Sequence, residues 1–199
     1  MIAFFSIASL VVIVGVVGIV NSLHVYTSLN FVTNQSLPEL LVSNKIQSSI
    51  NKISSDIVDF AVVGTMTNQL HQERLQQMIY DSKMLTALVN QLDKILSAKP
   101  KEKAEISPIL RNLTSQYSTV SLQLINSKYN RMDEQSTLNL ISSADNLRSK
   151  IDNMINERIN LEDAEIQNEI AKSKRVCTYS TRGNYYCQYC SIYGLSSYW

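Results

Sequence analysis

The chain has 199 residues, a net charge of +1 and five glycines, with 45% hydrophobic and 18% charged residues. The near-zero charge excludes an electrostatic nucleic-acid binder. So few glycines also exclude an α/β enzyme built on Gly-rich phosphate loops, which need positive φ and close backbone approach.

Composition is uneven along the chain. All 17 acidic residues lie between Glu39 and Glu169, whereas all three Cys, the single Trp and six of the ten Tyr lie in the last 23 residues. Three unlike pieces follow: an anchor over residues 1–21, a body over 22–175 and a tail over 176–199. The first reads IAFFSIASLVVIVGVVGIV from Ile2 to Val20, without a charge and with only Ser6 and Ser9 as polar side chains. Roughly 20 apolar residues rising about 1.5 Å each cross the ~30 Å hydrocarbon core of a bilayer. A basic leader and a small-x-small cleavage pattern are both missing around Gly18 to Ser22, so the expectation is an uncleaved transmembrane helix rather than a signal peptide. The Lys/Arg cluster that usually precedes such a helix is missing too, which predicts a start upstream of Met1.

The body carries one glycine, Gly64, and no cysteine before Arg175. Pro38 opens a segment in which Ile46, Ile50, Ile53, Ile57 and Phe60 alternate four and three apart, one seam of a helix. Past a short link at Gly64 and Thr65, Leu75, Met78, Leu85, Val89, Leu92 and Leu96 form a second seam, with Ser82 as its polar exception. The charged stretch Ser97 to Pro108, with two prolines and no seam, predicts a longer exposed connection. A third seam follows at Ile106, Leu110, Leu113, Tyr117, Val120 and Leu124, ended by a polar break from Ser127 to Gln135. The fourth and longest runs through Leu140, Ala144, Leu147, Ile151, Met154 and Leu161, continuing at Ile166 and Ile170. The fold class is therefore all-α: an N-terminal transmembrane helix followed by an up-down-up-down antiparallel four-helix bundle. Helices of about 25 to 35 residues make a rod roughly 40 to 50 Å long with both ends of the body at one pole, so a second membrane span is expected just after Arg175.

The tail gives VCTYSTRGNYYCQYCSIYGLSSYW instead. Cys187 and Cys190 form a CxxC pair, and Cys177 adds a third thiol, but a structural zinc wants four ligands and no His is near, so neither metal nor redox chemistry is expected. The genetic code offers another reading. Removing the first base of Tyr-Tyr and Tyr-Cys junctions produces Ile or Thr codons, and of Cys-Gln, Val or Ala codons; the tail then reads as a membrane helix translated out of frame. The DNA of codons 176–199 checks this: an apolar run in another frame is the expected result.

Other motifs carry no site. His71, in LHQERL, resembles a phospho-accepting histidine only superficially and is expected to be exposed on its helix, while His24 is expected at the membrane interface. Asp56 and Asp59 read as solvated helix-face carboxylates, and Arg74, Arg111 and Arg131 would receive an anion only if the fold brought two together. Sequons at Asn34 and Asn112 are expected to be chance matches in a bacterial protein. No HExxH, GxSxG or GKS/T pattern occurs. No catalytic residue, metal ligand or cofactor is assigned, and the ligand-binding residues stay open.

One resemblance is specific to residues. Ser36-Leu37-Pro38-Glu39-Leu40, then Ser43, Ile46, Ser49 and Ile53, and later Leu85, Leu88 and Leu92, resemble the periplasmic sensor of hybrid histidine kinases of the trimethylamine-N-oxide-sensing type. Similar bundles occur in methyl-accepting chemotaxis receptors and membrane diguanylate cyclases. The resemblance covers about Val20 to Arg175 and implies a truncated sensor region of a receptor in the bacterial inner membrane, its bundle in the periplasm. It also implies a homodimer, with a small molecule or a periplasmic binding protein as stimulus; the trimethylamine-N-oxide type has a longer sensor with a second bundle, for which this chain has no room. Such a chain is catalytically inert, its intact parent being the histidine kinase. The alternatives are the sensor of a chemotaxis receptor or a complete membrane-anchored helical scaffold.

Overall fold

The computed structural model describes residues 2–62, 68–129 and 133–181, with side chains placed at 11, 12, 14–59, 69–127 and 133–173. Gly64 and Thr65, Arg131, and the tail from residue 182 with Cys187 and Cys190 lie outside these residues, as does the out-of-frame reading. Among the described residues every element is helical: α1 (Ile2–Phe31), a π turn (Val32–Ser36), α2 (Leu37–Val62), α3 (Asn68–Ile95), a 3-10 turn (Leu96–Ala98), α4 (Pro100–Tyr129) and α5 (Glu134–Thr181). The chain divides into two compact units, one of Leu37–Glu162 and one of Met1–Ser36 with Asp163–Trp199.

The larger unit is the four-helix bundle. Its core is the set of predicted seams: Ile46, Ile50, Ile53 and Ile57 of α2, Met78, Leu85, Val89 and Leu92 of α3, Leu110, Tyr117 and Leu124 of α4, and Ala144 and Ile151 of α5 are all buried. Burial of each large aliphatic side chain contributes about 1.5–3 kcal/mol. Tyr117 is fully buried, and its hydroxyl, 3.5 Å from the Ile50 carbonyl oxygen, donates to it. Burial also pushes its phenol pKa upward. The aliphatic rows supply the packing that a 3.6-residue period dictates.

Three expectations need correction. Ser97 to Pro108 is not a long exposed connection, because α4 already starts at Pro100. Proline is favoured in a first helical turn, where its missing N–H is unneeded. Lys99 stands just before it with φ −122° and ψ 73°, outside the helical region that a following proline disfavours. The Lys103 amide then donates to the Lys99 carbonyl at 3.0 Å, and Pro108 is carried inside the helix. Leu161 is not in the fourth seam but 48% exposed, while Ile155, Arg158 and Glu162 take the buried positions after Ile151. His71 is not exposed on its helix; it is buried.

Asp133 caps α5: its carboxylate accepts from the Ser136 amide at 2.8 Å and hydroxyl at 2.6 Å. Those bonds hold its pKa below the usual carboxylate range.

In the smaller unit, Ser28 is buried and donates to the Glu169 carboxylate of α5 at 2.9 Å, which Lys172 also grips at 2.5 Å. Lys172 first, then Ser28, keeps Glu169 more acidic than an ordinary glutamate. Asn21, Val25, Ser28, Val32 and Gln35, alternating four and three apart, are among the less exposed positions of this stretch, with Phe31 beside them.

The π turn has two causes legible in the chain. Pro38 cannot donate to the carbonyl of Asn34, and its ring crowds that carbonyl. The spacing also carries an extra residue, because Gln35 to Glu39 to Ser43 takes two steps of four in succession, where a heptad alternates four with three. A single π turn inside an α-helix takes up one such residue.

No helix is long and apolar enough to cross a membrane over the described residues, which leave out the side chains of residues 2–10.

The corrected fourth seam predicts unequal costs. Ile151→Ala is expected to destabilise the bundle by about 2–5 kcal/mol, and Leu161→Ala by no more than about 0.5 kcal/mol. Urea unfolding followed by circular dichroism checks both.

Candidate functional site

The larger unit has one pole at which α2 begins, α3 turns into α4 and α5 leaves. There the aliphatic rows give way to charge. On α2 the spacing Glu39, Ser43, Ile46, Ile50 continues one face, so its first turn presents a carboxylate where the rest presents isoleucine. On α5, Ile151 and Ile155 are followed at the same spacing by Arg158 and Glu162. Lys99 comes from the link before α4, and Glu102 from the first turn of α4.

These side chains meet around one guanidinium. Arg158 Nε donates to Glu39 Oε1 at 2.9 Å, and Nη2 donates to the same oxygen. Nη2 also lies 2.8 Å from Glu162 Oε1 and 2.7 Å from Glu102 Oε2. Lys99 Nζ bonds Glu162 Oε1 at 2.5 Å and lies 3.4 Å from Glu39 Oε2. Glu39 is 1% exposed and Glu162 fully buried, while Arg158 retains 5% exposure.

Burial raises the pKa of Glu39 above the carboxylate range, outweighing the hydrogen bond and charge of Arg158 that pull it down. For Arg158 burial opposes the charge most strongly, but the hydrogen bond to Glu39 and the fields of Glu39, Glu102 and Glu162 together raise its pKa. The carboxylates of Glu39, Glu102 and Glu162 each offer an oxygen within 4.8 Å of the others, the spacing of a metal site. Nη2 of Arg158 reaches all three, so an internal cation already fills the centre.

Two further features belong to the bundle. A groove of about 510 Å³ opens between α4 and α5, flanked by Ser115, Thr119, Ser142, Ser143, Asn146 and Lys150 over Val120 and Leu147. That is the size range of small-ligand pockets. Between α2, α3 and α4, Asp56, Arg74, Gln77, Met78 and Ile125 enclose about 10 Å³, room for one water. Close by, the buried Asp81 is held by Lys52 at 2.6 Å and Gln77 at 2.9 Å.

The sequence candidates distribute as follows. Asp56 is half-buried with its pKa raised by burial, and Asp59 is exposed. Arg74 lines the small cavity, whereas Arg111 pairs with Asp93 at 3.0 Å, so these two are not brought together. Lys103, 3.3 Å from Asp93, completes that triad, and the Ser107 hydroxyl, then these cations, lower the Asp93 pKa. His24 is exposed. The Arg158 cluster was not among the candidates, although the continuation of both aliphatic rows into Glu39 and into Arg158 and Glu162 is a signal present in the spacing.

The described part of the larger unit is thus a set of antiparallel helices with an aliphatic middle and an ion-paired pole. Residues 1–175 match the four-helix-bundle sensory module for signal transduction, and the chain belongs to that family. Comparison with curated proteins finds no match, and comparison with solved structures finds none.

Replacing Arg158 leaves buried carboxylates facing one lysine. Arg158→Met is expected to cost about 3–5 kcal/mol, and adding Glu39→Gln and Glu162→Gln to recover part of that loss. Equilibrium denaturation of the three proteins measures it.

Proposed function

We propose that the chain is the extracytoplasmic input region of a bacterial inner-membrane receptor, anchored by residues 1–21, with its bundle in the periplasm. The observation that carries this reading is the ion-paired pole. Glu39 at the start of α2 and Arg158 and Glu162 on α5 tie the first bundle helix to the last, the helix that runs on without a break to Thr181. Within a family of sensory modules for signal transduction, such a tie suits signalling by small displacement: a stimulus favours one of two packings and shifts α5 along or about its axis. The chain itself is read as non-catalytic, and the output as a two-component histidine kinase, on the resemblance carried by Ser36 to Leu40 and its following seam.

Membrane attachment is supported by α1, which holds no charged residue and leaves Val11, Val12, Val14, Val16, Val17, Ile19 and Val20 exposed. Apolar side chains exposed in such density need a non-aqueous surrounding. The stimulus is read as a small polar molecule seated in the α4–α5 groove, whose rim is hydroxyls, amides and Lys150.

The partner is read as a second copy of the chain. Leu37, Leu41, Asn44, Ser48, Asn51, Ser55 and Val58 are all exposed, uncharged and spaced alternately four and three along α2. This is a second seam, opposite the core row, that nothing in the unit covers. Asn at seam positions favours a defined dimer register at some cost in stability.

Cysteine cross-linking in membranes tests the arrangement. With the three native cysteines replaced by serine, Ser48→Cys is expected to give a disulfide-linked dimer, and Asn112→Cys on the exposed side of α4 to stay monomeric. Equal cross-linking at both sites, or none at Ser48→Cys, would overturn the α2 interface.

A further inference from the structure

The charges at the ion-paired pole do not balance. Glu39, Glu102 and Glu162 contribute three carboxylates, and Lys99 and Arg158 contribute two cations, so the fully ionised cluster carries one negative charge. Two of the carboxylates are all but sealed from solvent, Glu39 at 1% and Glu162 at 0% exposure. An uncompensated charge there is costly, because burial removes hydration that nothing replaces. A second, separate observation points the same way: Glu162 Oε2 is buried and has no hydrogen-bond partner.

The groups facing Glu39 and Glu162 are few. Arg158 lies on α5, Lys99 on the link and Glu102 on α4; in the last turn of α3, Lys94 is exposed and Asp93 is engaged with Lys103 and Arg111. A metal ion is ruled out at the centre by the guanidinium nitrogen that already reaches all three carboxylates. The remaining cation small enough to restore neutrality is a proton.

We propose that this cluster is a proton-binding site: it holds one proton, carried by the Glu39 carboxyl, and releases it to solvent as the surrounding pH rises. With the proton bound, three acidic groups and two cations are electrically neutral and the pole is latched. Once the proton leaves, a net negative charge is buried where α2, α4 and α5 meet, and the latch loosens. The raised pKa of Glu39, caused chiefly by burial, is consistent with this site. The module would thereby respond to external pH in addition to any ligand, a property independent of the output module it drives.

The sign follows from linkage. The folded cluster keeps a proton that an unfolded glutamate gives up near pH 4.3, the usual value of about 4.3 for this side chain. Between that pH and the cluster's own value the native state binds more protons, so stability falls as pH rises, by up to about tenfold in the unfolding constant per pH unit for one proton.

The test measures unfolding of the full chain in detergent by urea at a series of pH values above 5, for wild type, Glu162→Gln and Glu102→Gln. Each substitution removes one negative charge and leaves a neutral cluster, so each is expected to abolish the cluster's share of the pH slope, up to tenfold per unit. His24 and His71 are present in all three proteins and cancel from the comparison. Infrared spectroscopy below the transition is expected to show a buried carboxylic-acid carbonyl band in wild type that both variants lack. Glu102 stands at the rim with 35% of its side chain exposed, so Glu102→Gln keeps the comparison available should Glu162→Gln fail to fold. A wild-type slope shared unchanged by Glu102→Gln, or a carbonyl band it retains, would overturn the proposal.

Discussion

The guanidinium of Arg158 is the constraint on which the pole of the bundle depends. It is buried, it cannot lose its charge, and it must therefore find acceptors on every side. It finds them on three different stretches of chain, Glu39 in α2, Glu102 in α4 and Glu162 one turn further along α5. Aliphatic side chains can slide against one another over a shallow energy surface, whereas a planar fork of donors accepts one geometry. The Ile and Leu rows supply most of the burial; the Arg158 cluster supplies the register in which those rows meet. Buried ion pairs of this kind are weak contributors to net stability, and their value here is read as specification.

The helices are not regular throughout. From Ile2 to Val62 the chain is helical throughout, broken only by the π turn at Val32–Ser36. The sequence holds one residue more than the heptad allows, and Pro38 removes the hydrogen bond that would have kept the turn tight. A widened turn is the local answer to both.

Much of the architecture was legible because it rests on periodicity. Ile46, Ile50, Ile53 and Ile57, or Leu85, Val89 and Leu92, announce a buried face by spacing alone, and the structure buries them. What escaped was anything that broke the equation of buried with apolar. Leu161 reads as core on hydrophobicity, whereas three- and four-residue spacing from Ile151 and Ile155 leads to Arg158 and Glu162, which that reading passes over. His71 reads as an exposed helical histidine and is buried. The prolines misled differently. Pro100 and Pro108 were read as loop punctuation, but a proline in the first turn costs a helix little, and Lys101, Glu102, Lys103 and Glu105 around it are good helix formers.

Placing charge at this pole, rather than in the middle of the bundle, has a mechanical consequence. A buried cluster is stiff while its charges are matched and becomes unfavourable as a whole when one is removed, so it behaves as a two-state element rather than a graded one. On the proposed reading, a stimulus that changes how α2, α4 and α5 meet acts on Arg158, whose partners lie on all three. Because Arg158 and Glu162 sit one turn apart on α5 itself, a change in their partners acts directly on that helix. The cluster that fixes the resting register is thus also the place where a small displacement meets the least slack.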